Sequence, residues 1–229
     1  MPRRVLSAPK ANFGARLRAR SGFIAAVYAA LAVQLAITAA LSAYFRKNPA
    51  VYERLSKLWI LWLILNIAIL LALAFLPLPF AVKALLFAAF AVVLSFTFVA
   101  ADKRVSPETI RAALAATVGI FVAMTAVGLG LAAIGVDLAF LSYVLLAALV
   151  GLIVTYAVIY FFPVGKTAMK AILLVAMTIF AVFVAYDTNA LLAPGAPTGP
   201  SAVLDAAIGF YLDIVNLFSE AAAYTDLSE

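Results

Sequence analysis

The chain has 229 residues, is 68% hydrophobic and 11% charged, carries a formal net charge of +6, and contains neither cysteine nor histidine. A soluble domain is nearer half apolar and a quarter charged, so at a mean hydropathy of +1.17 no water-facing surface could cover this composition, and lipid is the solvent for most of the chain. The missing residues exclude disulfides, thiolate chemistry, haem ligation and His-based metal or proton-relay sites, which leaves carboxylates as the groups able to titrate inside.

Residues 1–21 hold Arg3, Arg4, Lys10, Arg16, Arg18 and Arg20 and lack the short apolar core of a cleavable signal. They read as a basic N-terminal tail ahead of a single membrane domain over 22–229. Apolar runs follow at 22–45, 58–77, 80–101, 110–134, 138–162, 168–192 and 202–223, each near the roughly 20 residues that cross about 30 Å of hydrocarbon as a helix. The segments between them are rich in charge, glycine or proline, which end helices at an interface. Ser106-Pro107-Glu108 has the form of a helix start, with serine as cap and proline in the first turn. The expected fold is an all-α membrane protein, a seven-transmembrane-helix bundle without internal repeats. Orientation stays open: the tail argues for a cytoplasmic N-terminus, whereas Arg46, Lys47, Arg54, Lys57, Lys103, Arg104, Arg111, Lys166 and Lys170 fall on the opposite side of a seven-span chain and only Lys83 shares the tail's side.

A carboxylate in hydrocarbon is expensive and is kept where it faces a bundle interior or water. Asp213 stands near the middle of the last apolar run and Asp187 near the end of the sixth, equally far along the chain from Pro200 in the connecting turn. An antiparallel helix pair brings them to similar depths, and the last helix is expected inside the bundle because Asp213 would otherwise face lipid. Spacing alone leaves open that each aspartate merely bonds a neighbouring helix or reaches an interface. Asp205 and Glu220, near the ends of the last run, read as interfacial; Asp102 and Asp137 read as solvated loop charges.

The stretch AYDTNALL at 185–192, followed by FYLDIVNLF at 210–218, resembles the paired signature of the transmembrane Bax inhibitor motif family, and FIAAVYAALAVQLAITAA at 23–40 looks like the opening helix of its lifeguard branch. The resemblance implies seven helices around a central C-terminal one, a pH-sensitive leak of calcium or other cations, and, in eukaryotes, restraint of cell death through stored calcium. It assigns the ion- and proton-sensing pair to Asp187 and Asp213, which would also be the Ca²⁺ contacts, with Tyr186, Asn189, Tyr211, Asn216 and Lys83 as possible support. Calcium would be bound or transported cargo, and no cofactor is implied. Two carboxylates in a poorly solvated site cannot easily both ionise and can share a proton; losing it creates a repulsion that can part helices or admit a hard cation, whose preferred ligands are oxygens. Prokaryotic relatives carry a latching arginine near the end of the second helix. The matching stretch here, LAFLPLPFAVK, offers only Lys83, a point charge without the bidentate fork.

Other classes fit less well. A retinal protein needs a lysine in its last helix, but the final lysine is Lys170. A transporter of repeated halves would match Gly119, Gly128 and Gly130 elsewhere in the chain, and an intramembrane aspartyl protease would need Gly-x-Gly-Asp where Phe-Tyr-Leu precedes Asp213. The chain is therefore expected to be no enzyme. The remaining alternative is a non-conducting regulator that binds other membrane proteins. The partners expected are the lipid bilayer, calcium ions and, in that alternative, such proteins, with no nucleic acid. The location expected is multi-pass in a bacterial inner membrane or a eukaryotic endomembrane.

Overall fold

A computed structural model describes residues 13–101 and 106–228. The rest of the basic tail, with Arg3, Arg4 and Lys10, and the loop charges Asp102, Lys103 and Arg104 lie outside the described residues. Eight α-helices follow in order: α1 Phe13–Lys47, α2 Pro49–Ser56, α3 Trp59–Phe75, α4 Phe80–Ala101, α5 Pro107–Ala133, α6 Ser142–Phe161, α7 Lys166–Ala190 and α8 Pro200–Asp226, with a 3-10 turn at Leu138–Leu141 before α6. No strand occurs among the described residues, as expected where every backbone polar group must be satisfied within the segment.

Among the described residues, α1, α5, the Leu138–Phe161 unit, α7 and α8 are each long and apolar enough to cross a membrane. The second expected span, 58–77, is shorter than the sequence suggested: α3 has 17 residues and meets the small helix α2 at a bend of 72°, so that the pair together makes a sixth candidate. Pro77 and Pro79 explain the early stop, since neither can continue a helix and each disfavours helical backbone in the residue before it. The third, α4, is a shorter apolar helix over Phe80–Phe96. All-helical, multi-pass architecture is therefore established at five to six crossings by length and composition.

The junction at α5 formed as its sequence dictates. Ser106 accepts a hydrogen bond from the Thr109 N–H at 3.0 Å, Pro107 occupies the first turn, and Glu108 lies at the positive end of the helix dipole. Asp137 is exposed, as a loop charge should be, and it also caps the 3-10 turn through the Ala139 N–H at 2.9 Å.

Helix α8 is central and packs against α1, α4, α5 and α7, whereas α6 touches α7 at the periphery and α3 leans on α4. Its buried side includes Ala207, Phe210, Tyr211, Asp213, Leu217 and Glu220. The phenol of Tyr211 is fixed by Thr38 of α1 at 2.6 Å, and its ring meets Phe90 of α4 edge-on. Helices α5 and α7 approach closely at Gly128, where a methyl group would stand 2.5 Å from the Ala185 carbonyl oxygen and 2.9 Å from Thr188 Cβ. Small residues at such crossings let helices pack without a hydrophobic driving force between them.

One expectation about the tail needs correction. The segment read as a basic tail to Ser21 becomes helical at Phe13, so α1 runs for 35 residues, about 52 Å at 1.5 Å per residue. Its added turns have work to do. Arg16 donates to the Ala132 carbonyl at 2.7 Å and the Leu192 carbonyl at 3.4 Å. Arg20 donates to Leu191 at 2.9 Å and Ala196 at 2.8 Å. Those carbonyls belong to the C-terminal ends of α5 and α7 and the loop beyond, where unpaired oxygens and the negative end of the dipole favour a cation. Arg18 points outward and is exposed.

Candidate functional site

Helix α7 ends at Ala190, which leaves Asp187 in its last turn with a side chain directed at α8. Its carboxylate lies directly on the α8 backbone: a methyl group on Gly209 would be 2.6 Å from Asp187 Oδ2. Gly209 is therefore the residue that makes room for the acid. One helical turn deeper, Asp213 occupies the same side of α8, because residues four apart share a face. Asp213 is 5% exposed, and its Oδ2 is buried without a hydrogen-bond partner. The two acids singled out in the sequence thus lie on neighbouring helices, Asp187 against Gly209 and Asp213 one turn further along α8.

The walls are mostly aromatic and hydroxylic. The Tyr28 hydroxyl of α1 lies beside Thr125 of α5 and Thr188 of α7, and the Tyr28 ring stacks on Phe210 with centroids 5.6 Å apart. Phe121 closes the other side of Phe210 edge-on. Thr188, next to Asp187, is buried.

The supporting residues divide. The Asn189 carboxamide is occupied structurally: its oxygen accepts from the Leu138 N–H at 3.0 Å, and its nitrogen donates to Val136 at 3.0 Å and Gly128 at 3.4 Å. It pins the α5–α6 connection to α7. Tyr211 is held by Thr38, Tyr186 lies beside Ser142, and Asn216 is half-buried on α8. Lys83 pairs with Asp205 at 2.5 Å, near the start of α8, and is engaged there rather than at the aspartates. That pair lines a cavity of about 540 Å³ with Leu70, Leu73 and Ile208.

Glu220 is more enclosed by protein than its place near the end of the last run suggests. It is 9% exposed, and its carboxylate accepts a hydrogen bond from the Tyr156 hydroxyl of α6. The signal was its spacing: seven residues after Asp213, almost two full turns, puts both acids on one side of α8.

Among the described residues no three His, Cys, Asp or Glu side chains gather as a metal cluster. Two carboxylates supply only a fraction of the six to eight oxygens calcium prefers.

The chain matches the family described as inhibitor of apoptosis-promoting Bax1 over residues 20–222. It belongs to that family. The Bax1-inhibitor match takes in Arg20, Asp187, Asp213 and Glu220. The relatives include a BI1-like protein of Arabidopsis thaliana, 31% identical over 210 residues that cover 87% of this chain and 78% of the relative. Protein LIFEGUARD 4 of the same plant is 30% identical, over 87% of this chain and 82% of its own, and an uncharacterized protein of Deinococcus radiodurans is 29% identical over 86% of each. The protein is accordingly a multi-pass integral membrane member of the Bax1-inhibitor family.

Proposed function

We propose that this protein is a pH-sensitive leak path for calcium and other cations, in which Asp187 and Asp213 form the gate and the ion contact together and no catalytic chemistry takes part. The observation that carries this reading is the placement of two carboxylates on facing helices, one against the Gly209 backbone and the other buried with a free oxygen. A membrane protein bears the cost of such groups where they handle charge. In the closed state the pair holds one proton; its loss brings two like charges together in a site with little water, favouring helix separation or entry of a hard cation. By lowering a calcium store, such a leak would modulate cell death where the host has that pathway, and the membrane concerned is a bacterial inner membrane or a eukaryotic endomembrane.

The proposal takes the chain across the bilayer seven times, with α3 and α4 as the two short crossings. This is supported by the apolar composition of both helices and by the α7–α8 connection, whose Gly199 takes a φ of +116° that residues with a side chain avoid. Single cysteines, introduced into a chain that has none, test it: positions within 193–200 should react with a membrane-impermeant thiol reagent from one side, and burial of this stretch in lipid would refute the hairpin.

Purified protein reconstituted in calcium-loaded liposomes should release calcium, and faster as pH rises. A bilayer that stays sealed at every pH would instead favour the regulator that binds other membrane proteins without conducting.

A further inference from the structure

We infer that Glu220 is a second cation-binding carboxylate on the same path, two turns beyond Asp213 along α8, held by the Tyr156 hydroxyl and separated from the aspartate pair by an apolar plug around Leu217. The inference rests on the leak reading and adds to it a station and a constriction that the aspartate pair does not supply.

The register of α8 orders the groups. Asp205 is at the exposed mouth, Gly209 receives the Asp187 carboxylate, Asp213 follows, then Leu217, then Glu220. Seven residues from Asp213 to Glu220 amount to about 10 Å of rise. Over that interval the interior is apolar: Leu217 and Val184 are fully buried and pack with Leu152, Ala176 and Phe180. A hydrophobic constriction of this kind stops ions by excluding water until the helices around it move.

Beyond the plug, a plain helix–helix contact would need only the small apolar residues already present there, Ala113, Ala221 and Ala222. Instead α8 buries a glutamate and α6 supplies one phenol for it. A phenol donates a single hydrogen bond, whereas a carboxylate has about four acceptor positions. The arrangement therefore satisfies Glu220 in part and leaves acceptor capacity for a cation. Conduction works best through successive sites, each strong enough to be entered and weak enough to be left, and a carboxylate on each side of a plug meets that requirement.

Two variants separate this role from a mere tie between α6 and α8: Glu220→Gln removes the charge and leaves an amide oxygen that still accepts from Tyr156, whereas Tyr156→Phe breaks the bond and keeps the charge. In calcium-loaded proteoliposomes, the calcium dependence of efflux is measured for the native chain, Glu220→Gln and Tyr156→Phe. Glu220→Gln should raise the half-saturating calcium concentration roughly tenfold, equivalent to about 1.4 kcal/mol, while Tyr156→Phe, which frees the carboxylate, should lower it. Shifts of both variants in one direction would overturn the inference, as would native calcium dependence in Glu220→Gln. If Glu220→Gln does not assemble, Tyr156→Phe decides alone, and an unchanged or raised half-saturating concentration counts against the station. Absence of flux in the native chain would remove the leak reading itself, and a conducting native chain with an inert Glu220 would remove only the station.

Discussion

Asp187→Asn and Asp213→Asn should each flatten the pH dependence of calcium release from proteoliposomes. In the native chain, release should rise across about pH 5 to 8, a range in which carboxylates paired inside a protein can exchange protons. The sign follows from the pair. At low pH the shared proton removes one charge and the helices stay closed; as pH rises the proton leaves and both carboxylates are ionised. Unit charges about 4 Å apart repel by on the order of 4 kcal/mol at an effective dielectric of 20, which shifts a two-state gate roughly a thousandfold. Asparagine keeps the size and the hydrogen bonding of aspartate without the charge, so either variant removes the repulsion. Identical pH profiles for the native chain and both variants would mean that the aspartates only tie α7 to α8.

Gly128→Ala should lower the thermal midpoint of the purified protein by several degrees, with Gly209→Ala close to native in the same assay. At Gly128 the added methyl meets a backbone carbonyl at 2.5 Å, and a carbonyl within a helix cannot swing aside. Helices α5 and α7 must separate instead, and overpacking of this kind costs about 1–3 kcal/mol, more than the roughly 1 kcal/mol that alanine gains over glycine within a helix. At Gly209 the methyl meets the end of the Asp187 side chain at 2.6 Å, and a side chain can rotate away. The cost there falls on function: the carboxylate is pushed off α8, and the pH profile of release should move while the fold survives. A native-like midpoint for Gly128→Ala would disprove the close crossing of α5 and α7.

Much of the membrane architecture was legible because lipid imposes a simple code, in which apolar length means crossing and an acid at depth means an inward face. That Asp187 and Asp213 stand on neighbouring helices at similar levels was legible from their equal spacing about Pro200. Contacts that depend on three-dimensional neighbours were not legible. Arg16 and Arg20 stand in a run of basic residues that reads as solvated, and nothing local announces that their acceptors are carbonyls more than a hundred residues away. Glu220 was placed at an interface because it lies near the end of an apolar run; its burial is decided by Tyr156 on another helix. Asn189 sits beside the acids in sequence, yet its carboxamide is consumed by the backbone of the α5–α6 connection. The break between α2 and α3 lies in a polar segment where hydropathy sees only a loop.

The arginines of α1 have an implication for the order of assembly. They leave the ribosome early, while the Leu191, Leu192 and Ala196 carbonyls that receive them are synthesised late, with a separation of 176 residues for Arg16 to Leu192. While the intervening segment is being synthesised the two guanidinium groups lack these partners. The contact that joins α1 to the end of α7 therefore cannot form before α7 and the residues just beyond it have been made, and only from then on does it tether the helix that carries Asp187.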